Sequence, residues 1–257
     1  MTPARPADGI AWVTGASAGI GRAVVLRLVQ DGWTVAATAR RADELAHLAA
    51  AHPGRIIAAP ADVTDPVAMQ AAVRHAEAVA GGSIALAILN AGTYVPMSAQ
   101  TFDAAAFRLQ VDVNLGGTAN ALAAVLPGLL ARGSGQLAIV ASVAGYRGLP
   151  TALAYAATKA ALIALAESLK FDLDRAGVLS HVINPGFVRT PLTDRNTFPM
   201  PFLIEADDAA RRIVRGLRCT RFEIVFPRRF AYMLKLLRLL PYALFFPLVA
   251  RGTRTKA

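Results

Sequence analysis

Two residues in the middle of the chain, Tyr155 and Lys159, could together exchange a proton with a substrate. They stand four positions apart in Tyr-Ala-Ala-Thr-Lys, a spacing that places both side chains on one face of a helix. A tyrosine hydroxyl with its ordinary pKa of about 10 is a poor base at neutral pH, but a neighbouring ammonium stabilises the phenolate. The spacing therefore predicts that Lys159 lowers the pKa of Tyr155, which acts as a general acid or base.

A third residue, Ser142, precedes Tyr155 by 13 positions and follows a predicted strand. Ligands of doubly wound sheets bind at the carboxyl ends of the strands. We therefore expect the Ser142 hydroxyl to hydrogen-bond a substrate oxygen. Taken alone, Tyr-x3-Lys is common on helix surfaces, so the catalytic interpretation depends on Ser142 and on the loop described next.

A glycine-rich loop near the N-terminus predicts a dinucleotide site. The apolar run Ile10–Val13 leads into Thr-Gly-Ala-Ser-Ala-Gly-Ile-Gly, residues 14–21, and an apolar-periodic helix follows. Gly15 permits a tight turn, Gly19 lets the backbone approach a pyrophosphate, and Gly21 allows close packing of helix on strand. The helix N-terminus would face the phosphate charge.

The end of the second predicted strand indicates which nicotinamide cofactor binds. An acid at this point usually hydrogen-bonds the ribose 2′-hydroxyl of NAD, whereas an arginine accommodates the 2′-phosphate of NADP. Here the sequence reads Ala39-Arg40-Arg41, so an alanine fills the acid position and a guanidinium follows. Arg40 therefore predicts NADP(H) rather than NAD(H), unless the two arginines merely begin an exposed helix.

The elements that must position these residues alternate along the chain. Seven short apolar runs predict strands, at 10–13, 34–38, 55–59, 84–89, 136–141, 178–183 and 222–226. Helical stretches lie between them, the two longest being 103–132 and 152–176. The pattern predicts an α/β fold: one doubly wound, Rossmann-type domain over residues 1–227, with a mostly parallel seven-stranded sheet and helices on both faces. Residues 228–257 would add an apolar, basic helical extension to the same domain.

These motifs together resemble the short-chain dehydrogenase/reductase family, from residue 10 to about residue 195. The resemblance implies catalytic roles for Ser142, Tyr155 and Lys159, and for Asn114 as a residue that holds a water in the proton relay. It also implies that the cofactor contacts Tyr155, Lys159 and a further set of residues. That set is Gly15, Ser17, Gly19, Ile20, Gly21, Arg40, Asp62, Val63, Asn90, Ala91, Gly92, Pro185, Gly186, Val188 and Thr190. Leu89 departs from the family, which often has a second asparagine there.

Composition limits the remaining possibilities. Apolar residues make up 55% of the 257 positions and charged residues 17%, which favours a folded domain. The single cysteine and the absence of an apolar leader in residues 1–9 favour the cytoplasm. No run of about 18 apolar residues is apparent, so no spanning helix is expected, and no metal site is predicted.

Positive charge is concentrated near the C-terminus. The formal net charge is +10, and from residue 211 onward twelve Lys or Arg face a single acid, Glu223. In residues 228–250 these cations flank leucines and aromatic residues, which could bury against protein, across a dimer, or at a membrane interface. Positive charge is the only feature of the sequence that would favour nucleic-acid binding, so a nucleic-acid partner is not expected. The apolar segment 191–205 could be a lid over a lipophilic substrate or an ordinary surface loop.

The function predicted from the sequence is therefore an NADP(H)-dependent oxidoreductase that interconverts a ketone or aldehyde and an alcohol, and forms a homodimer or homotetramer. A 3-oxoacyl thioester is the alternative substrate. A non-catalytic NADP-binding sensor or scaffold is the alternative of another class.

Overall fold

Strands and helices alternate along the chain, as the sequence predicts. The computed structural model describes residues 1–195 and 199–253. Within them the strands are β1 (Ile10–Thr14), β2 (Val35–Thr38), β3 (Ile56–Ala58), β4 (Ile84–Leu89), β5 (Gln136–Val140), β6 (Leu179–Pro185), β7 (Val188–Arg189), β8 (Ile204–Glu205) and β9 (Glu223–Phe226). The helices are α1 (Gly19–Gln30), α2 (Ala42–Ala50), α3 (Pro66–Ala80), α4 (Ala104–Val111), α5 (Gly117–Arg132), α6 (Leu153–Arg175), α7 (Ala206–Leu217), α8 (Arg228–Leu239) and α9 (Tyr242–Thr253).

One parallel sheet contains the seven predicted strands, in the order β3-β2-β1-β4-β5-β6-β9. The order reverses between β1 and β4, the switch point at which doubly wound sheets bind ligands. The short strands β7 and β8 pair separately. The predicted fold class is therefore confirmed, with strand ends that lie within two residues of the expected ones.

Both faces of the sheet are buried, because alternate residues of a strand point to opposite sides. On β1, Ile10 and Trp12 join the core beneath α3, α5, α6 and α8. Ala11 and Val13 join the core beneath α1, α2 and α7. This two-sided burial explains why the strands read as continuous apolar runs rather than as alternating ones.

The helix expected at 103–132 is continuous but irregular. The Asp103 carboxylate caps it by accepting hydrogen bonds from two backbone N–H groups, and Gly133 ends it at a φ of 60°. Between α4 and α5, residues 112–116 form a π-helical turn. By length and composition the whole helix could cross a membrane, so the expectation that no segment reaches that length was wrong. Here it packs on α3 and the sheet and contributes Leu122, Val125 and Leu129 to the core.

The C-terminal extension forms α8 and α9. It buries part of its apolar surface in the domain, through Phe230, Ala231, Leu234 and Phe245. The rest of its large apolar side chains remain exposed, which the sequence did not distinguish.

Candidate active site

A cleft of about 450 Å³ opens at the carboxyl edge of the sheet, beside the switch point. Except for Asn114, every residue predicted to react or to bind the cofactor lines it. These residues are Gly15, Ser17, Gly19, Ile20, Gly21, Arg40, Asp62, Val63, Asn90, Ala91, Gly92, Ser142, Tyr155, Lys159, Pro185, Gly186, Val188 and Thr190. The fold thus brings together residues that lie up to 175 positions apart, between Gly15 and Thr190.

The glycine loop needs its glycines for space and for conformation. Gly15 has a φ of 69° and Gly19 one of 53°, a region that other residues rarely adopt. A Cβ atom on Gly21 would lie 2.2 Å from the Gly15 carbonyl oxygen, and one on Gly15 would lie 2.8 Å from the Ala91 Cα. The loop therefore fits tightly between α1 and the end of β4, as the predicted roles of Gly15 and Gly21 require.

The N-terminus of α1 opens onto this cleft. Ala18, the residue before the helix, has no side chain that could cap it, so the first backbone N–H groups are available to an anion. Across the cleft, Thr190 approaches so closely that a Cβ on Gly19 would lie 3.0 Å from its Cγ2. The loop after β1 and the turn after β6 therefore form opposite walls.

Asn90 joins the ends of two central strands. Its side-chain amide donates to the carbonyl oxygens of Thr14 and Gly15, at 3.0 and 3.4 Å, and its backbone N–H donates to the Thr14 hydroxyl at 3.0 Å. The substitution of Leu89 for a second asparagine leaves these contacts intact, because Leu89 faces the core.

Two arginines line the cleft where β2 ends. Arg40 lies 3.9 Å from the Asp62 carboxylate, a largely exposed pair that contributes little to stability. Arg41, which the sequence left out of the predicted site, donates to the Ser17 hydroxyl at 3.1 and 3.3 Å. The buried Ala39 occupies the place of the expected acid. This corner therefore presents two guanidinium groups beside a single carboxylate.

Ser142, Tyr155 and Lys159 meet at the inner end of the cleft, where β5 ends and α6 begins. The Ser142 hydroxyl accepts a hydrogen bond from the Ala144 N–H at 3.1 Å and donates to the Pro185 carbonyl oxygen at 3.4 Å. Lys159 is only 4% exposed, and its Nζ donates to the Val140 carbonyl oxygen at 2.9 Å. A Cβ on Gly145 would lie 2.7 Å from the Lys159 backbone, so a glycine is required where this loop crosses α6.

The pKa of Tyr155 differs from the sequence expectation. Burial raises it to about 12, and a hydrogen bond from Ser142 offsets only part of the increase. Burial also lowers the pKa of Lys159 to about 8. The expected lowering of the Tyr155 pKa by Lys159 is therefore not found in this structure, where removal from water is the largest influence on the pKa of both side chains.

Asn114 lies behind the cleft wall rather than in it. It is fully buried in the π-helical turn. Its amide donates to the Thr93 carbonyl oxygen and the Thr158 hydroxyl, both at 3.0 Å, and its Oδ1 accepts from the Thr93 N–H at 2.7 Å. The side chain thus fixes Thr93, which lines the cleft, and a π-helical turn at this point is typical of functional sites.

Tyr94 is a neighbour of the site that the sequence did not indicate. Its ring meets the Tyr155 ring edge to face, with 5.1 Å between the ring centres. It lies in an irregular segment after β4, where no repeating pattern of apolar residues indicates which way a side chain points. The contact fixes one side of the Tyr155 ring.

The turn after β6 is fixed by the neighbouring edge strand. The Gly186 N–H donates to the Phe226 carbonyl oxygen at 2.7 Å, and a Cβ on Gly186 would lie 3.1 Å from Phe230. Phe230 also contacts Phe187 and Phe202, whose rings are tilted against it at 5.6 and 6.0 Å between ring centres. Part of the predicted lid, including Phe198, lies outside the described residues.

Comparisons with known proteins agree with this geometry. The sequence model of the family described as short chain dehydrogenase matches residues 9–198. An oxidoreductase of uncharacterised activity from Myxococcus xanthus is 39% identical over 91% of this chain and 94% of its own length. A 2-dehydro-3-deoxy-L-rhamnonate dehydrogenase (NAD(+)) from Sphingomonas is 33% identical over 74% of this chain and 76% of its own. The crystal structure of a short-chain dehydrogenase from Streptomyces avermitilis superimposes with a TM-score of 0.77 at 27% identity, covering 89% of this chain and 92% of that one.

Proposed function

Since the chain belongs to the short-chain dehydrogenase family of oxidoreductases, we propose that it interconverts a carbonyl compound and an alcohol with NADP(H). One observation supports this proposal above the others. Ser142, Tyr155 and Lys159 line the same cleft as the glycine loop. The residues proposed to transfer a proton and those proposed to bind the dinucleotide therefore share one site.

The residues of the cleft fit a dinucleotide. Gly15 and Gly21 leave no room for a Cβ, the N-terminus of α1 has N–H groups available as donors, and Arg40 and Arg41, which line the cleft, would hold the ribose end. When bound, the nicotinamide ring supplies or accepts the hydride. The turn formed by residues 185–190, which lines the cleft, would hold that end of the cofactor.

The protein's own part in the reaction is to move a proton and hold an oxygen. At neutral pH Tyr155 is a phenol, because its pKa is about 12, and a phenol can donate its proton to an alkoxide that forms from a carbonyl. The Ser142 hydroxyl would hydrogen-bond the same oxygen. The Lys159 ammonium, 5.7 Å from the centre of the Tyr155 ring, stabilises the phenolate left behind.

A scaffold that only binds the cofactor would not need a tyrosine hydroxyl, a serine hydroxyl and a buried ammonium at the same end of the cleft. Burying an ammonium costs stability, as the lowered pKa of Lys159 indicates. Proton transfer gives a reason for that cost. The sensor or scaffold alternative has no comparable support.

The preference for NADP(H) rests on Ala39, Arg40 and Arg41. Guanidinium groups bind phosphate through paired N–H donors, and a ribose 2′-hydroxyl alone offers no charge for two cations. The relative from Sphingomonas is named as an NAD(+) enzyme. We propose that this chain differs from that relative here.

The substrate is proposed to be a lipophilic small molecule. Leu192 and Pro191 line the cleft, and the aromatic cluster of Phe187, Phe202 and Phe230 lies behind the turn after β6. Apolar walls gain affinity from the apolar area they cover. We further propose that the enzyme acts in the cytoplasm as a homodimer or homotetramer, which light scattering would test.

The experiment that tests the function is an assay of NADPH and NADH oxidation across ketones, steroids, sugars and acyl thioesters. Turnover with NADPH on a lipophilic ketone, lost in Tyr155→Phe, is the expected result. Turnover of an acyl thioester alone would favour the 3-oxoacyl alternative. Tight binding of NADPH with no turnover on any of these would contradict the enzymatic proposal.

A further inference from the structure

We propose that α8 and α9 form a surface that binds peripherally to anionic lipid bilayers. We call this the tail surface. It consists of eight exposed apolar or aromatic side chains and four exposed arginines: Tyr232, Met233, Leu236, Leu239, Tyr242, Leu244, Phe246, Leu248, Arg228, Arg229, Arg238 and Arg251. The proposal is independent of the function proposed for the cleft.

Helix α8 is apolar on two faces, and the domain covers only one of them. Phe230, Ala231 and Leu234 are buried in the core. On the other face Tyr232, Leu236 and Leu239 follow a spacing of four and then three residues and are 60, 66 and 79% exposed. Such spacing forms a continuous stripe along a helix. A soluble helix needs only one apolar stripe, so the second requires a partner outside the domain.

Helix α9 continues the exposed apolar surface. Phe245 is buried, whereas Leu244, Phe246 and Leu248 are 59, 61 and 49% exposed. The twelve residues from 239 to 250 contain no charge. Exposed groups of this kind exceed the scattered apolar side chains of an ordinary surface and indicate an interaction site.

The charges around this apolar surface are of one sign. No acidic residue follows Glu223 in the sequence, and Glu223 itself already accepts hydrogen bonds from Lys235, Tyr146 and Asn184. Among the described residues, no carboxylate lies within 4.0 Å of the four arginines of the tail surface. An apolar stripe flanked by free cations matches the chemistry of an anionic lipid surface.

A second copy of the chain is a poorer match than a bilayer. In a symmetric dimer the same surface meets itself, so Arg228, Arg229 and Arg238 would face a partner surface that carries cations and no acidic residue after Glu223. Like charges brought together across an interface weaken it. Lipid headgroups such as phosphatidylglycerol would instead neutralise each arginine.

The tail surface suits the membrane interface rather than a spanning position. Helix α9 has 12 residues, which at about 1.5 Å per residue reach about 18 Å, well short of the roughly 30 Å of a bilayer core. Pro247 lies within it. Tyr232 and Tyr242 are of the residue type that prefers the headgroup region.

Arg147 holds this surface in a fixed position on the domain. Its guanidinium donates to the carbonyl oxygens of Leu237, Arg238 and Leu240 at 3.1, 2.6 and 2.8 Å. The same guanidinium lies 4.1 Å from the centre of the Phe245 ring. Both helices are therefore oriented before any bilayer is met, which reduces the entropy cost of binding.

Vesicle flotation of the full-length protein tests the proposal. Vesicles of phosphatidylcholine alone are compared with vesicles of equal parts phosphatidylcholine and phosphatidylglycerol, at 50 and 500 mM NaCl. We expect at least about tenfold stronger partitioning to the anionic vesicles at low salt, and a large decrease at high salt. Failure to float with anionic vesicles at low salt would overturn the proposal.

Two variants separate the apolar and the charged contributions. Leu236→Ser with Leu244→Ser and Phe246→Ser removes three exposed apolar groups, and its matched control is Phe171→Ser with Val67→Ser and Val79→Ser, three side chains that are 72, 70 and 60% exposed elsewhere. Arg228→Glu with Arg229→Glu reverses two charges, and its matched control is Arg74→Glu with Arg108→Glu, two exposed arginines on α3 and α4. Each tail variant should lose at least about tenfold in partitioning while the controls keep wild-type binding.

Circular dichroism and thermal unfolding establish that each variant is folded. Equal vesicle binding by the tail variants and their controls would contradict the proposal. So would a lipid-free dimer, seen by light scattering, that dissociates in the triple serine variant. That result would assign the tail surface to a second copy of the chain.

Discussion

The ammonium of Lys159 lies 5.7 Å from the centre of the Tyr155 ring and donates a hydrogen bond to the Val140 carbonyl oxygen. Burial lowers the pKa of Lys159 to about 8 and raises that of Tyr155 to about 12. At neutral pH the two side chains are therefore a cation and a neutral phenol. This pair of states is suited to donating a proton, and so to the reduction of a carbonyl.

We predict that carbonyl reduction slows as the pH rises through about 8, because Lys159 then loses the proton that stabilises the Tyr155 phenolate. The initial rate of NADPH oxidation from pH 6 to 10, at constant ionic strength, measures this. Thermal unfolding at each pH establishes that the protein stays folded. A rate that stays constant between pH 7 and 9.5 would contradict the assigned role of Lys159.

Replacing Lys159 by methionine should stabilise the protein at neutral pH. The folded-state pKa of about 8 lies below the ordinary 10.5. Below pH 8 both states carry the proton and folding buries a charge. Between pH 8 and 10.5 only the folded state releases the proton, so the free energy of unfolding rises with pH. The wild-type protein then no longer buries a charged Lys159. Each unit by which the pKa is lowered corresponds to about 1.4 kcal/mol of unfolding free energy, and the substitution also removes the hydrogen bond to Val140. We therefore expect Lys159→Met to raise the free energy of unfolding by about 2 kcal/mol at pH 7 and not to change it at pH 10.5.

Urea unfolding at pH 7 and at pH 10.5 provides the comparison. Lys170→Met serves as the matched control, because Lys170 lies on the same helix and pairs with Asp174 at the surface. No stabilisation of Lys159→Met at pH 7 would mean that the ammonium is better solvated than its burial indicates.

Tyr155→Phe should abolish most turnover without disturbing the fold. The substitution keeps the ring that meets Tyr94 and removes only the hydroxyl. General acid–base groups typically contribute about 10²–10⁴-fold in rate, and we expect a loss of that size in kcat. Fluorescence titration should show nearly unchanged NADPH affinity. The control is Tyr232→Phe on exposed α8, and a Tyr155→Phe enzyme with more than half of wild-type turnover would exclude the proposed proton donor.

Cofactor preference should depend on Arg40 and Arg41. Arg40→Asp removes a guanidinium and adds a carboxylate, so NADPH affinity should fall at least about tenfold more than NADH affinity. Arg41→Asp should act in the same direction, because Arg41 lies against Ser17 in the same corner. Calorimetric titration with both cofactors measures the difference, and Arg74→Asp on α3 is the control. Equal losses for both cofactors would show that these arginines do not bind the 2′-phosphate.

Arg147→Met should loosen the C-terminal helices. Three hydrogen bonds to carbonyl oxygens and a cation–π contact with Phe245 would be lost, at a cost of about 2–4 kcal/mol. Hydrogen exchange should rise in residues 228–253 and stay low in the central strands. Arg147→Lys keeps the charge but not the planar group, so it should rescue only part of the protection. Unchanged exchange in α8 and α9 would show that these helices are held by apolar contacts alone.

Much of the fold could be predicted from the sequence because its signals are local. Apolar runs identified the seven strands, and Gly133 and Gly177 mark the ends of the two longest helical stretches. The strand carboxyl ends predicted a shared cleft for Gly15, Ser142 and Pro185, since the parallel topology leaves no other place for them.

Other features could not be predicted because they depend on contacts distant in the sequence. Three such contacts join segments that no repeating sequence pattern connects: the hydrogen bond of Arg41 to Ser17, the ring contact of Tyr94 with Tyr155, and the hydrogen bonds of Arg147 to α8 and Leu240. The direction of the Tyr155 pKa depends on how deeply the cleft buries it, which spacing alone does not reveal. For α8, composition indicated a partner but not which face the domain would cover.

The parallel sheet has one edge at the carboxyl ends of its strands, which carries the candidate active site, and an opposite edge at their amino ends. The turns before β3 and β4 lie at this opposite edge, where the strands begin. A Cβ atom added at Gly54, Gly81 or Gly82 would meet no other atom within 4 Å. A short tag or a fluorescent reporter inserted at Gly81–Gly82 would project into solvent, far from the ends of the strands that carry Ser142 and Asn90. This turn is therefore the place to label the protein for localisation in cells while leaving both termini native.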